Sequence, residues 1–434
     1  MINKKQSWLI ENVVSPYGLA MVSYALFLLS CLIPPAVYHR YMDEPDFMFL
    51  DSTTVLFYTL CVAAFLFGMW FFETITPPAP VIERKLEVRF SPAVFLMMPL
   101  VLGVSLSVLS SILLVKNNPL VIPILLAQRG STLKVDDGSG IQLEGTLNIT
   151  VFFLTGIVWW VAWRFRQLGV RGWSRRTVGF GLTLAVFAEF ISSSLNLIRH
   201  PLIVVITGMA VLYVLGKTFA GRMRWSLIAK AGVVFFAGGA LFFFIVESLR
   251  GGSAEAFTDA FVGYTIASYN RLAALLQGKM HLEYTGRGIY FSNFIAYNHT
   301  FNRVIPFARI MNIPEYFNWW RSVFASVGRA GLDARLILFG TFGEIYAEIG
   351  WFAPVLVFGY GLLYGLMWRW MRMGNLVAIL LYPYFAYCIL FWFSTNNLFD
   401  QDAAALLIDA IVLGAYEYLC IRRRELLVPV SQFG

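Results

Sequence analysis

Long apolar runs recur along this chain, separated by short polar breaks, and most runs approach the length of a membrane-crossing helix. About 20 apolar residues in a helix cover a hydrocarbon core about 30 Å thick. Segments near 17 to 37, 53 to 73, 93 to 115, 147 to 164, 177 to 196, 201 to 217, 229 to 247, 349 to 369, 375 to 395 and 403 to 420 meet or approach that length. The pattern predicts an all-α polytopic membrane protein of about ten transmembrane helices. Between the seventh and eighth spans, residues 248–337 are too interrupted to cross, and a structureless loop of that size would be unusual. Short interfacial or re-entrant helices are expected there. The stretch "GRGIYFSNFIAYNHTFNRVIPFARIMNIP" carries this reading, being aromatic and broken by Gly and Pro. Likewise "PLVIPILLAQR", 118 to 128, reads as an interfacial helix, because Pro123 argues against a full crossing.

Composition strengthens the membrane reading. Of 434 residues, 59% are hydrophobic and only 13% charged, against about 25% charged in ordinary soluble proteins. Mean hydropathy is +0.69. No separate soluble domain is visible, so residues 1–434 read as a single integral membrane domain. Cys31, Cys61, Cys388 and Cys420 lie in or beside apolar runs with no close pair, which suggests neither a disulfide framework nor a zinc site. The first residues, "MINKKQSWLIENVVSPYG", lack the apolar core and small-residue cleavage site of a signal peptide. The first span is therefore expected to stay as an anchor.

Charge then sets an orientation, because cytoplasmic connections keep Lys and Arg. With the N-terminus inside, the inner segments carry Lys4, Lys5, Arg84, Lys85, Arg89, Arg164, Arg166, Arg171, Arg175, Arg176, Lys217, Arg222, Arg224, Lys230, Arg369, Arg372 and Arg422 to Arg424. The short outer loops carry only Arg40, Lys116, Arg129, Lys134 and Arg199. Both termini are thus expected in the cytoplasm, and 248–337 becomes one long extracytoplasmic loop. Long loops do not weigh in this rule.

That loop is basic, and arginines outside the membrane are not needed for topology. Guanidinium forks match phosphate oxygens, so an anionic ligand such as a lipid pyrophosphate is a natural partner; acidic membrane lipids are the plainer one. Arg199 and His200 sit in a hairpin of a few residues between two spans, in "SLNLIRHPLIVV". Arg199 either projects into an outward cavity or snorkels to the interface. Arg250, in "VESLRGG", precedes Gly251 and Gly252, which permit close approach of a ligand or simply stop the helix. In "TFGEIYAEIG", Glu344 and Glu348 fall on one helical face at the start of a span. Either pairs with loop arginines or acts as a base toward a hydroxyl, and Glu344, the more exposed by position, is the preferred chemical candidate. Glu189 and Asp409 are intramembrane acids that an interhelical hydrogen bond would explain. "FDQDA", with Asp400 and Asp402 in acid-x-acid spacing, is too short a signal to use. No phosphate loop occurs, and four scattered His residues offer no metal constellation.

The junction "GTFGEIYAEIGWFAPVLVFGYGLLYG" resembles the late signature of the O-antigen polymerase (Wzy-type) and oligosaccharide repeat-unit polymerase family, in which a glycine, a Glu and a Y-x-x-x-G run open a span after a long periplasmic loop. "RHPLIVVITGMAVLYVLGK" resembles that family's short outer turn with Arg, followed by an apolar helix and a basic cytoplasmic end. The motif-level likeness covers about a tenth of the chain. Related O-antigen ligases carry a His shortly before the corresponding helix. "GRAGLDARLILFGTFGE" has none, His281 and His299 lying well upstream.

The resemblance implies a membrane glycosyltransferase of C-type helical architecture on the outer face of a bacterial inner membrane. It would join undecaprenyl-pyrophosphate-linked oligosaccharide units into O-antigen or a related polysaccharide, without a cofactor or metal. Arg199, Arg250, Arg271, Arg329 and Arg335, with His200, would bind the pyrophosphate-linked substrate, and Glu344 would orient or deprotonate the attacking hydroxyl. Lipids and a chain-length regulator are the implied partners, and nucleic acid is not. A ligase-type transferase and a transporter of lipid-linked oligosaccharide remain the alternatives.

Overall fold

The computed structural model describes residues 12–42, 44, 51–77, 83–117, 119, 121–127, 145–195, 200–219, 263–291, 305–334 and 336–427, with isolated positions between 226 and 248. The described chain is almost entirely helical. In order, it forms α1 (Pro16–Cys31), α2 (Pro35–Tyr41), α3 (Ser52–Ile75), β1 (Glu83–Val88), α4 (Pro92–Asn117), α5 (Val121–Leu126), α6 (Gly145–Gln167), α7 (Gly172–Leu195) and α8 (His200–Phe219). After a π-helical turn at Gly263–Ala267 come α9 (Ser268–Leu276), α10 (Phe307–Ile310), α11 (Tyr316–Arg329), α12 (Thr341–Ile349), α13 (Ala353–Arg372), α14 (Leu376–Leu390), α15 (Gln401–Cys420) and β2 (Ile421–Leu427).

Each predicted span except 229–247 overlaps one of these helices, 17–37 running across α1 and into α2, and 229–247 lies mostly outside the described residues. Among the described residues, six helical stretches are long and apolar enough to cross a membrane, and α1 and α14 are shorter apolar helices. This is an all-α membrane protein. The helix starts follow local chemistry: Ser15 caps α1 by accepting from Gly18 N at 3.3 Å, with Pro16 at the first helical position. Asn375 caps α14 from Val377 N at 2.9 Å.

Packing sorts the helices into lipid-facing and central. On α4, Met98, Val101, Leu102, Leu109 and Ile112 are exposed, whereas Gly103, Ser107 and Ser110 turn inward toward α6 and α7. Exposed apolar stripes with small residues inside are what a bilayer solvent selects. By contrast α14 is buried on every side, touching α1, α6, α8, α13 and α15. The closest pair is α3 with α13, which run parallel. A Cβ on Gly68 would lie 2.2 Å from Phe358 O, and one on Gly361 2.2 Å from Phe65 O. Gly361 of "GYGLLYG", facing Gly68, therefore lets two backbones touch.

Two findings depart from the sequence expectations. Basic stretches that read as plain connections, "ERKLEV" and "IRRRELL", pair antiparallel as β1 and β2, with Glu83 opposite Leu427 and Glu87 opposite Arg423. Their small sheet marks one end of the bundle. Moreover, the acids of "TFGEIYAEIG" do not extend the following span. At Gly350 φ is +58, and a 3-10 turn, Gly350–Phe352, separates short α12 from α13. Within the long segment before it, the described residues form α9, α10 and α11.

Candidate functional site

The bundle end opposite the sheet gathers its polar groups around one turn, residues 391–402, between α14 and α15. Gly340, at φ +77, brings the chain under this turn; a Cβ there would lie 3.1 Å from Trp392 O. The first turn of α12 then docks: Thr341 N donates to Trp392 O at 2.8 Å and Thr341 Oγ1 to Thr395 O at 3.0 Å. Glu344 accepts from Asn396 N through Oε2 at 2.8 Å. Asn396 Nδ2 donates in turn to Tyr360 Oη at 3.1 Å, and Tyr384 Oη donates to Asn397 O at 2.7 Å. No hydrogen bond reaches Glu344 Oε1 among the described residues, so half of this carboxylate is uncommitted.

One turn on, Glu348 accepts from Gly288 N at 2.9 Å and Tyr290 N at 3.1 Å, one oxygen each. Gly288 has φ +72, which turns its N–H toward the acid. The two acids share a helical face as expected, yet they pin different segments and neither meets an arginine among the described residues. Glu344 is also not the more exposed one: the two are 7% and 9% exposed. Docking of α12 beneath the 391–402 turn covers its first turn, which position in the sequence had suggested would be open.

His200 opens α8 and places Nδ1 3.2 Å from Asp402 Oδ2. Its ring packs edge-on to Tyr387 at 5.2 Å between centroids. Asp402 is buried and lies within electrostatic range of Asp400 and Glu189, while Glu344 lies within range of Asp400 and Glu348. The "FDQDA" run set aside above thus supplies the acid that faces His200. Glu189 does make an interhelical bond, from Thr155 Oγ1 at 3.3 Å, but Asp409 has no hydrogen bond, contrary to expectation.

Arg271 is held apart from this turn. It is fully buried on α9 and pairs with Glu44 Oε1 through Nη2 at 2.5 Å, while donating to Ala267 O at 2.9 Å and Asp333 O at 2.8 Å. Glu44 also accepts from Asn270 Nδ2 at 3.2 Å, from Asp333 N at 3.0 Å and from Tyr38 Oη. Burial, with the Glu44 charge adding, pushes the Tyr38 phenol up, so it stays a donor. This arrangement closes Arg271 into the framework. Arg329, at the end of α11, is exposed and pairs with Glu283 at 2.8 Å. Arg199, Arg250 and Arg335 lie outside the described residues.

An apolar hollow of about 520 Å³ opens between α7 and α8. Val186, Phe187, Phe190, Leu202, Ile206 and Leu241 line it. The sequence reading missed Asn396, Tyr360 and this hollow. The available signal for the first was "STNN", a polar quartet between two apolar spans. No protein-family model matches the chain, and no curated protein or solved structure is detectably similar to it.

Proposed function

We propose that this protein polymerises lipid-linked oligosaccharide repeat units, transferring a glycan from undecaprenyl pyrophosphate to a sugar hydroxyl. The observation that carries the reading is Glu344: a buried carboxylate fixed through one oxygen by Asn396 N, with its second oxygen uncommitted. A positioned carboxylate with a free oxygen is the equipment for orienting or deprotonating a hydroxyl. The apolar hollow between α7 and α8 suits a polyprenyl or acyl chain beside that end of the bundle. In this reading the chain crosses a bacterial inner membrane about ten times, has both termini in the cytoplasm and works at the outer leaflet with C-type glycosyltransferase architecture. Residues 248–337 form its extracytoplasmic loop. Arg199, Arg250, Arg329 and Arg335, with His200, meet the pyrophosphate and stabilise the departing charge. Arg271 acts indirectly, by holding the wall that Glu44 and Asp333 build. A chain-length regulator is the expected protein partner.

Purified protein given lipid-pyrophosphate oligosaccharide should lengthen it in a ladder, and Glu344→Gln should stop elongation while leaving the protein folded. Elongation at the wild-type rate by that variant would reject the role of Glu344. Ligation to a different acceptor by the same site is the near alternative, read out as a single transfer without a ladder. A second reading, transport of the lipid-linked oligosaccharide, is favoured by Glu189, Asp402 and Asp409, which are acids buried inside the bundle. Movement of the lipid-linked sugar across vesicles without elongation would select it.

A further inference from the structure

Asp402, Asp409 and Glu417 stand seven and eight residues apart on α15 and so share one face. All three are buried. The facing stripe of α6 is Gly156, Trp160 and Arg164, at intervals of four. Along this seam the acids are treated differently. At the sheet end Glu417 Oε1 accepts from Trp160 Nε1 at 2.6 Å and Arg164 Nε at 2.5 Å, which closes that side. At the opposite end Asp402 meets His200, which is partly exposed. Between them Asp409, 0% exposed, fits the niche that Gly156 leaves: a Cβ there would lie 1.9 Å from Oδ2. Neither Asp409 oxygen has a hydrogen-bond partner among the described residues.

An ionised carboxylate alone in an apolar interior costs far more than a hydrogen bond returns. Asp409 therefore has to be neutral or to meet a cation, and no described cation pairs with it; the titratable groups of the neighbouring elements cluster instead about Asp402 and Glu417. On α6 the nearest described charge along the stripe is Arg164, committed to Glu417. From α14 come Tyr384, Tyr387 and Cys388, all within electrostatic range of Asp400 and Asp402. From α7 comes Glu189, bonded to Thr155 through Oε1, with Oε2 unpartnered and buried. On α15 itself the neighbours are Asp402, Tyr416 and Glu417. The turn at Asn397–Phe399 brings no charge, and Asp400 follows it.

We propose that Asp409 is a proton-binding site in the middle of the α6–α15 seam, loaded from the His200–Asp402 end and closed toward the sheet by Arg164 and Glu417. A proton entering at His200 or Asp402 travels two helical turns, ~10 Å, to Asp409. That distance is too long for direct transfer, so loading requires bridging water along the seam. The site binds H⁺ reversibly, and no other bond is made or broken. It stands apart from the chemistry proposed for Glu344.

The test is infrared spectroscopy of the full-length protein in lipid vesicles, with D₂O exchange as the probe. The expected result is a neutral-carboxyl C=O band that disappears in Asp409→Asn and shifts on transfer to D₂O in the wild type. In Asp402→Asn the shift should slow by about tenfold, ~1.4 kcal/mol of barrier. If Asp409→Asn does not fold, Asp409→Glu should move the same band instead. A band assigned to Asp409 that never exchanges would mark a sealed structural acid and overturn the proposal. So would the absence of any band tied to Asp409. Exchange unaffected by Asp402→Asn would overturn entry from that end.

Discussion

The two ends of the bundle hold buried charge in opposite ways. At the sheet end, Glu417 is held by a buried ion pair with Arg164 and a bond from Trp160, both to Oε1. At the other end two acids have both oxygens engaged: Glu44, by Arg271, Asn270, Tyr38 and Asp333 N, and Glu348, by Gly288 N and Tyr290 N. Apart from these stand acids that do not: Glu344 with one free oxygen, Glu189 with another, and Asp402 facing a partly exposed histidine. A saturated buried pair costs desolvation and returns a fixed geometry. An unsaturated one costs desolvation without that return, so its persistence points to use. Partner count, rather than burial or charge alone, separates framework from candidate chemistry here.

The sharpest way to break this contrast is Arg271→Ala. It leaves Glu44 buried and uncompensated, and a loss of about 3–5 kcal/mol is expected, read as a fall in thermal stability in detergent. Stability near wild type would mean that Glu44 can reach water and that this cluster is not framework. Next comes Glu344→Gln. The amide oxygen still accepts from Asn396 N, so the fold should persist while elongation falls by about 10²–10⁴-fold. Equal losses of stability and activity would return Glu344 to the framework. Glu348→Gln is the internal control, one turn away. The amide keeps one acceptor oxygen, so one of the two N–H groups loses its partner and the other a charged one; the cost should be about 1–3 kcal/mol locally, seen as faster hydrogen exchange at Gly288 or Tyr290 with little change in elongation rate. The smallest effect is expected for Arg329→Ala, whose exposed pair with Glu283 should be worth about 0.2–1 kcal/mol in stability. Weaker substrate binding beyond that would place Arg329 in the pyrophosphate contacts.

Sequence periodicity found the long helices because apolar length is a local property. It found the paired placement of Glu344 and Glu348 for the same reason: four residues are about one helical turn. It could not find their partners. Asn396 N and Gly288 N lie 52 and 60 residues away along the chain, and a backbone N–H has no signature in the side-chain pattern. Nor could it separate α14, buried on every side, from lipid-facing α4, since both are uniformly apolar and lipid is as apolar as a protein core. The β1–β2 pairing was hidden too: charged tracts read as solvated connections until a partner strand more than three hundred residues on is brought beside them.

The amino-acid sequence alone determined that this is a helical membrane protein, where its helices run, and which acids and arginines stand near their ends. Hydrophobic length and helical period are sufficient for that. Tertiary structure alone decided that Arg271 is bound up by Glu44, that Glu344 keeps an oxygen free beneath the 391–402 turn, and that Asp409 lies unpartnered against Gly156. A charged group's role depends on which donors reach it, and those donors come from elements far apart in the chain.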